Sequence, residues 1–418
     1  MFERRIPEWL RHAPAPSVRG FAVLAGFEAV TRGILISVFP VAMYGALHDA
    51  GLVSSIYFLI GIASLCVGLL VPYLIRFVPR RVIYGIGVMG YVLSAGLAIL
   101  GTPTSMVTAL GVGSMATVCT FVCFNAYVLD YIARIELGKC ETLRMFYSAL
   151  GWSIGPVLGI SLWSWWPAAP FLISGLSACI MLAAFTHMRM GDGKLITRAH
   201  APHSNPLAFI GRFARQPRLI AGWLFAVIRS CGWWAYVVYL PIFAVENEMG
   251  ERLGGTFLSM TNAALFLSPI MLRWMQANSI RRSVRTGFMA VAILFCIAGI
   301  GSVAPWIAVL SLFIGSFFLI FLDICGGLPF LMAVKPSERT EMSAIYSSYR
   351  DVSGILTPGV AWLVLLVAPI SGVFVASGAA CLVAWGISGR LHPRLGAARL
   401  APVGSPALAP VRSAPQHS

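Results

Sequence analysis

Long apolar stretches alternate with short polar gaps along most of the chain. An α-helix rises about 1.5 Å per residue, so about 20 apolar residues cross a ~30 Å hydrocarbon layer. The pattern therefore predicts an all-α polytopic membrane protein with twelve transmembrane helices. The predicted spans are 20–47, 51–75, 82–101, 105–133, 145–166, 168–188, 219–245, 253–275, 284–303, 305–334, 343–367 and 370–389.

A weak internal repeat relates the two halves of this pattern. Glu28 precedes Pro40 by twelve residues, and Arg229 precedes Pro241 by the same distance in the seventh span. Such a repeat predicts two pseudo-symmetric six-helix bundles with a shared site between them. The predicted divisions are a tail at 1–19, a bundle at 20–188, a central loop at 189–218, a second bundle at 219–389 and a disordered tail at 390–418.

Composition supports a membrane protein. The chain is 58% hydrophobic and 11% charged, whereas soluble domains carry about 25% charged residues. Eight of the nine cysteines fall inside apolar spans, and no Cys/His cluster has the spacing of a zinc site. We therefore expect no metal and no cofactor.

The distribution of basic residues predicts the orientation. Of the 30 Lys and Arg residues, 26 lie in the tails, in the even-numbered gaps or at the span edges next to those gaps, three lie deep within spans, and only Arg252 lies in an odd-numbered gap. Because basic loops remain in the cytoplasm, we expect both termini and the central loop to be cytoplasmic, in a plasma (bacterial inner) membrane. The net charge of +15 then reflects topology, so we expect the lipid bilayer as a partner and no nucleic acid.

Six charged residues interrupt the apolar spans at similar predicted depths. Three unpaired arginines at membrane depth would cost about 8–10 kcal/mol, so they should be paired or hydrated. The sequence therefore predicts a water-accessible cavity around these side chains. They are Glu28, Arg32, Arg229, Asp323, Arg350 and Asp351.

The carboxylates among them, Glu28, Asp323 and Asp351, are candidates for proton coupling. The repeat places Glu28 and Arg229 at equivalent positions, so we expect them to meet across the cavity. A neighbouring guanidinium favours the charged form of a carboxylate, so alternating contact would bind and release a proton. Two alternatives remain: a permanent Glu28–Arg32 pair within one helix, or an organic anion held by Arg32 and Arg229.

Further polar and aromatic side chains could bind a substrate. Beside Arg32, Arg229 and Arg350, an aromatic wall with a few polar groups would suit an amphipathic organic solute. Ordinary packing is the alternative for the aromatic residues. The additional candidates are Asn125, Trp233, Tyr236, Asn262 and Tyr346.

Asp130 and Arg134 lie four residues apart at the predicted cytoplasmic end of the fourth span. Such a pair can simply be a solvated helix end. Alternatively, Asp130 could pair with a basic residue of another loop, such as Arg76, and form a cytoplasmic gate.

Two features of this sequence resemble the major facilitator superfamily of secondary transporters. One is the arrangement of six and six spans around a long basic loop, with both ends inside. The other is Gly151-Trp-Ser-Ile-Gly155-Pro156-Val-Leu-Gly159, which is similar to the G-x-x-x-G-P-x-x-G motif of the antiporters in that superfamily. In that superfamily the loop after the second span has a signature of roughly G-x-L-A-D-R-x-G-R-R. Residues 72–81 of this chain match only the basic end of that signature. Small residues at helical spacing also allow two helices to approach closely, whatever the function.

The resemblance implies transport of a small organic solute by alternating access, and the antiporter-like motif favours proton-coupled efflux. Expected partners are a small-molecule substrate, protons and lipid, with the chain acting as a monomer. Gly151-x-Ser153-x-Gly155 also fits the serine-hydrolase pattern, but that motif requires a strand-to-helix turn and a histidine. Ser153 lies in an apolar helix, so we expect no enzyme. A transport-inactive sensor on the same scaffold is the remaining alternative.

Overall fold

The computed structural model describes residues 17–75, 77–132, 137–188, 206–299, 303–334, 342 and 345–391. All regular secondary structure within these residues is helical. The helices are α1 (Val18–Gly33), α2 (Val38–Leu47), α3 (Ala50–Leu74), α4 (Arg80–Ile99), α5 (Pro103–Tyr131), α6 (Leu137–Trp165), α7 (Ala169–His187), α8 (Pro206–Ala214), α9 (Pro217–Trp234), α10 (Leu240–Glu246), α11 (Arg252–Ala263), α12 (Ser268–Ala277), α13 (Ile280–Ile297), α14 (Pro305–Cys325), α15 (Leu328–Ala333), α16 (Tyr349–Leu365) and α17 (Ser371–Ser388).

Nine helical segments in the described part of the chain are long and apolar enough to cross a membrane. The three other predicted spans coincide with helices that are broken, more charged or shorter. A 3₁₀ turn at Ala264–Leu267 separates α11 from α12, three arginines lie near the start of α13, and α16 has 17 residues. The nine segments are Val18–Leu47, Ala50–Val71, Arg80–Ile99, Pro103–Val128, Leu143–Trp165, Ala169–His187, Pro217–Glu246, Pro305–Phe330 and Ser371–Ser388.

The segments that begin the two halves are interrupted in the same way. The first changes from α1 to α2 through a turn at 34–37, just before Pro40. The other changes from α9 to α10 through a π-helical turn, Ala235–Tyr239, just before Pro241. Proline has no N–H and clashes with the carbonyl four residues earlier, which disrupts the preceding helical turn. Each disruption follows an arginine, Arg32 or Arg229, within a few residues.

In the described residues, the most extensive contacts between helices of the two halves are those of α3 with α16 and of α6 with α11, and α2 also contacts α10. One buried apolar cluster contains residues of both halves, such as Met43 and Val53 of the first and Phe243 of the second. Its first-half members lie on the side of the molecule where α2 ends and α3 begins. We call it the shared cluster.

Two further apolar clusters each stay within one half. One contains Phe21 and Phe185, at the start of α1 and the end of α7. The other contains Phe213 and Phe330. The halves therefore share apolar packing on one side of the molecule and have separate clusters on the other.

The predicted central loop contains a helix that the apolar pattern did not indicate. This helix, α8, has nine residues. Phe213 anchors it, because the ring is buried and its centroid lies 6.4 Å from that of Phe330. The remainder of the loop at 189–205 and most of the predicted tails, 1–16 and 392–418, lie outside the described residues.

Candidate functional site: a charged cavity between the two halves

A cavity of about 620 Å³ lies between the two halves and is lined by residues of both. The first half contributes residues of α1 to α7, and the second half contributes residues of α9, α11, α14 and α16. This volume falls within the range of small-molecule sites. Five of the six predicted intramembrane charges line the cavity: Arg32, Arg229, Asp323, Arg350 and Asp351.

The first half supplies an ion pair from a single helix. Arg32 Nη1 lies 3.2 Å from Glu28 Oε1, one helical turn away. The Arg32 guanidinium also lies 5.3 Å from the ring centroid of Trp152 on α6, within range of a cation–π interaction. Glu28 is the more buried partner, with a side chain 16% exposed against 35% for Arg32. Arg32 faces the cavity while Glu28 lies behind it.

The second half supplies an ion pair between two helices. Arg229 of α9 binds Asp323 of α14, and Trp233 Nε1 donates to the other Asp323 oxygen at 3.3 Å. The Arg229 guanidinium lies 5.5 Å from the ring centroid of Tyr349. The contact that the repeat predicted, between Glu28 and Arg229, is not formed. Each arginine instead finds its carboxylate within its own half.

Arg350 and Asp351, consecutive residues of α16, both line the cavity. Arg350 Nε donates to the Tyr349 hydroxyl at 3.2 Å, and its guanidinium lies 5.7 Å from the ring centroid of Phe121 on α5. Within the described parts of the chain, no ion pair involves either Arg350 or Asp351. Among the described residues, the cavity wall therefore holds one cation and one anion that are neighbours in sequence and that form no direct ion pair.

Asn262 joins the halves at the cavity wall. Pro156 has no N–H, so the carbonyl of Trp152, four residues earlier in α6, has no partner in its own helix. Asn262 Nδ2 donates to that carbonyl at 2.7 Å. Ser259, one turn earlier in α11, accepts from the backbone N–H of Val157 at 2.9 Å. The amide of Asn262 is therefore partly used for helix packing, although the residue lines the cavity.

The glycines of the antiporter-like motif pack against the backbone of the first span. A Cβ added at Gly151 would lie 2.7 Å from the carbonyl carbon of Ala29, and one at Gly155 would lie 2.6 Å from that of Gly33. A Cβ at Gly159 would collide with the carbonyl oxygen of Ile34. Because atoms this close would clash, these positions require glycine for the contact of α6 with the first span.

Three of the predicted substrate-binding residues do not line the cavity. Tyr236 is 1% exposed, and its hydroxyl lies 2.8 Å from that of Thr261. Tyr346 stacks on Phe330, with ring centroids 4.0 Å apart. Asn125 Oδ1 accepts from Arg144 at 3.5 Å. Their polar atoms or rings are occupied by neighbouring protein groups.

The structure describes only part of the predicted cytoplasmic gate. Arg76 and Arg134 lie outside the described residues, and Asp130 belongs to the last turn of α5. Among residues 17–75, 77–132 and the other described ranges, no group of three or more His, Cys, Asp or Glu could hold a metal ion.

Several lining residues were not selected from the sequence. Trp152 contacts Arg32, Tyr349 contacts both Arg229 and Arg350, and Trp234 lies against Gly354. Aromatic residues are common in apolar spans, so only a position near a charged residue could have identified them as candidates for the cavity lining. Tyr349 directly precedes Arg350 and carried that signal.

Solved structures with a similar fold include three transporters of different kinds. A nucleoside transporter, NupG, has a TM-score of 0.69 and 14% identity over 90% of this chain and 99% of that chain. A POT family transporter in complex with a thioalcohol-conjugated peptide has a TM-score of 0.66 and 13% identity over 88% and 94%. A bacterial homologue of the iron transporter ferroportin, in an inward-facing state, has a TM-score of 0.65 and 13% identity over 89% and 96%. The TM-scores show that these proteins share a fold with this chain. At such low identities, the likeness extends to the fold alone.

The sequence itself matches a family model. No curated protein sequence matches the chain significantly, but the model of the Major Facilitator Superfamily matches residues 21–358. That region includes the antiporter-like motif and every charged residue of the cavity. The chain therefore belongs to the major facilitator superfamily of membrane transporters, and it is a transporter rather than an enzyme.

Proposed function

We propose that this protein is a proton-coupled secondary transporter that exports a small amphipathic organic solute across the plasma membrane by alternating access. In this proposal twelve spans form two pseudo-symmetric six-helix bundles, both termini are cytoplasmic, and the chain acts as a monomer. The central cavity carries the proposal, because it lies between the two halves and combines aromatic side chains with charges of both signs.

The distribution of apolar clusters supports a cavity that opens toward the cytoplasm. The shared cluster joins the halves on the side where α2 ends and α3 begins, and the separate clusters lie on the side where the chain starts. With cytoplasmic termini, the separated side faces the cytoplasm. A transporter in this state would accept a solute from inside the cell.

The pair of Glu28 and Arg32 supports a specific route for proton coupling. Loss of charge on Glu28 would release Arg32, whose guanidinium already faces the cavity and the ring of Trp152. Binding of a proton at Glu28 would therefore change the charge that the cavity presents to a solute. Asp323 and Asp351 are the further candidates, and Asp323 is linked to Arg229 in the same manner.

The first experiment identifies a ligand and then tests coupling. A thermal-shift screen of purified protein against cationic, zwitterionic, neutral and anionic solutes selects a ligand, because binding to the native state raises its stability. Transport of that ligand is then measured in proteoliposomes with and without an imposed pH gradient. We expect the gradient to accelerate transport by the wild type.

Glu28→Gln should remove the response to the pH gradient while ligand binding remains. Glu251→Gln is the matched control, because Glu251 is exposed in the short segment before α11 and does not line the cavity. A Glu28→Gln protein that keeps a normal response to the gradient would refute coupling through Glu28. A wild-type protein that binds the ligand but never moves it would refute transport and favour a sensor.

Arg350 favours one alternative function, the uptake or exchange of an organic anion. It is the one cavity arginine that has no carboxylate within ion-pair distance among the described residues. Asp351 lies beside it and opposes a multivalent anion, and Arg32 and Arg229 are already neutralised. Stabilisation by multivalent anions alone in the thermal-shift screen would support the alternative over the main proposal.

A further inference from the structure

A second cleft of about 690 Å³ lies on the outer surface of the second half, at the start of α13 and beside the end of α17. Its polar end is formed by three arginines, Arg281, Arg282 and Arg285, and by the hydroxyls of Ser279 and Thr286. None of these residues belongs to the central cavity.

Two of the three arginines of this cleft have neutral partners. Arg281 Nη2 donates to the carbonyl oxygen of Gly389 at 2.7 Å, and the Arg285 guanidinium lies 4.7 Å from the ring centroid of Trp385. Across the described ranges of the chain, no carboxylate forms an ion pair with any of the three. The N-terminus of α13 adds positive potential at the same place. The polar end therefore offers concentrated positive charge to an anion.

The cleft continues as an apolar surface along α13. Met289, Ala290 and Ile293 complete its lining, and Ile293 is 51% exposed. On the neighbouring α17, Leu382 and Val383 are exposed to a similar degree. From Arg282 to Ile293 the helix rises about 16 Å, which is about the depth of one hydrocarbon leaflet.

Trp385 lies at the boundary between the two parts. Tryptophan concentrates at the level of lipid headgroups because its ring is apolar and its N–H is polar. Its stacking against Arg285 places that guanidinium at the same level. Along the membrane normal, the cleft then presents positive charge, an interfacial tryptophan and an apolar surface in that order. A phospholipid has the matching order of a charged headgroup, an interfacial region and acyl chains.

We propose that this cleft binds an anionic phospholipid of the leaflet in which α13 begins. The phosphate would lie between Arg282 and Arg285, and an acyl chain would lie along Met289, Ala290 and Ile293. Basic clefts between membrane helices on the cytoplasmic side are suited to such headgroups. The apolar continuation favours a lipid over free phosphate, which would use only the polar end. The inference does not depend on which solute the central cavity carries.

The test uses the full-length purified protein in detergent with phosphatidylglycerol, phosphatidylcholine or inorganic phosphate added. Phosphatidylglycerol should raise the thermal midpoint, while phosphatidylcholine and phosphate should not. The double variant R282Q/R285Q should weaken the apparent affinity for phosphatidylglycerol at least tenfold. The matched control R218Q/R273Q, which removes two exposed arginines outside the cleft, should change it less than twofold.

A second variant keeps all the arginines. Ala290→Trp fills the apolar part of the cleft and should also weaken phosphatidylglycerol binding, as counted by native mass spectrometry of lipid adducts. Equal stabilisation by phosphate, or normal lipid binding by Ala290→Trp, would overturn the lipid assignment. Equal losses in the two double variants would show nonspecific charge attraction and would overturn the site.

Discussion

Asn262 Nδ2 donates a 2.7 Å hydrogen bond to the carbonyl oxygen of Trp152, the group that Pro156 leaves without a partner in its own helix. The donor belongs to the second half of the protein and the acceptor to the first. The bond therefore satisfies a backbone group at depth and holds α11 against α6. A single side chain thus links the proline of the antiporter-like motif to the interface of the halves.

We predict that Asn262→Leu lowers the free energy of unfolding by about 1–3 kcal/mol, because it leaves a part-buried carbonyl without its hydrogen-bond donor. Pro156→Ala restores an N–H that can bind the same carbonyl within α6. The double variant should therefore lose less stability than the sum of the two single variants, measured by denaturant titration in detergent. Additive losses would contradict this account of the bond.

The glycine contact of α6 with the first span gives a steric prediction. Gly155→Ala should lower the free energy of unfolding by about 1–3 kcal/mol, because the added methyl group meets backbone atoms that cannot rotate away. Gly96→Ala is the matched control, since a Cβ there meets nothing within 4 Å and alanine favours a helix. Equal thermal midpoints for the two variants would show that the close packing at Gly155 does not matter.

The pair of Arg229 and Asp323 is asymmetric in exposure. The Arg229 side chain is 9% exposed and that of Asp323 is 44% exposed. Asp323→Asn should therefore cost about 3–5 kcal/mol, because it leaves a buried cation unpaired. Arg229→Gln should cost less, because water can hydrate the remaining carboxylate. Denaturant titration of both variants checks the order, and the reverse order would contradict the exposure argument.

Arg350 and Asp351 of α16, which form no ion pair among the described residues, give a prediction about ligand class. Arg350→Gln should weaken binding of ligands with a carboxylate or phosphate at least tenfold, and Asp351→Asn should do so for ligands with an amine. Each loss follows from one charge-assisted contact of about 1.5–3 kcal/mol. Calorimetric titration of ligands from the thermal-shift screen measures both effects. Identical responses to both ligand classes would show that neither residue contacts the solute.

The sequence was sufficient to find the charges of the cavity and to offer the Glu28–Arg32 pair as one alternative, which the structure shows, but it did not reveal the pair of Arg229 and Asp323. Arg32 and Arg229 are conspicuous because a charge is costly within an apolar span. The partner of Arg229 depends on how α9 and α14 are rotated about their axes, and one residue corresponds to about 100° of rotation. The repeat indicated equivalent depth for Glu28 and Arg229 but carried no information on rotation.

Aromatic residues and irregular helices were harder to predict. Trp152 and Tyr236 look alike in an apolar pattern, yet one contacts Arg32 and the other is buried against Thr261. Pro156 and Asn262 were both singled out from the sequence, but their relation appears only once α6 and α11 are packed together. The helix α8 was missed because a segment rich in basic residues and proline was interpreted as a loop.

The shared cluster has an energetic consequence for the transport cycle. A switch that separates the halves on that side must expose buried side chains such as Met43, Val53 and Phe243 to water or lipid. Exposure of apolar surface to water increases the heat capacity. Under the proposed alternating-access cycle, the equilibrium between the two orientations should therefore depend on temperature in a curved manner, because cooling weakens the hydrophobic contacts of the shared cluster.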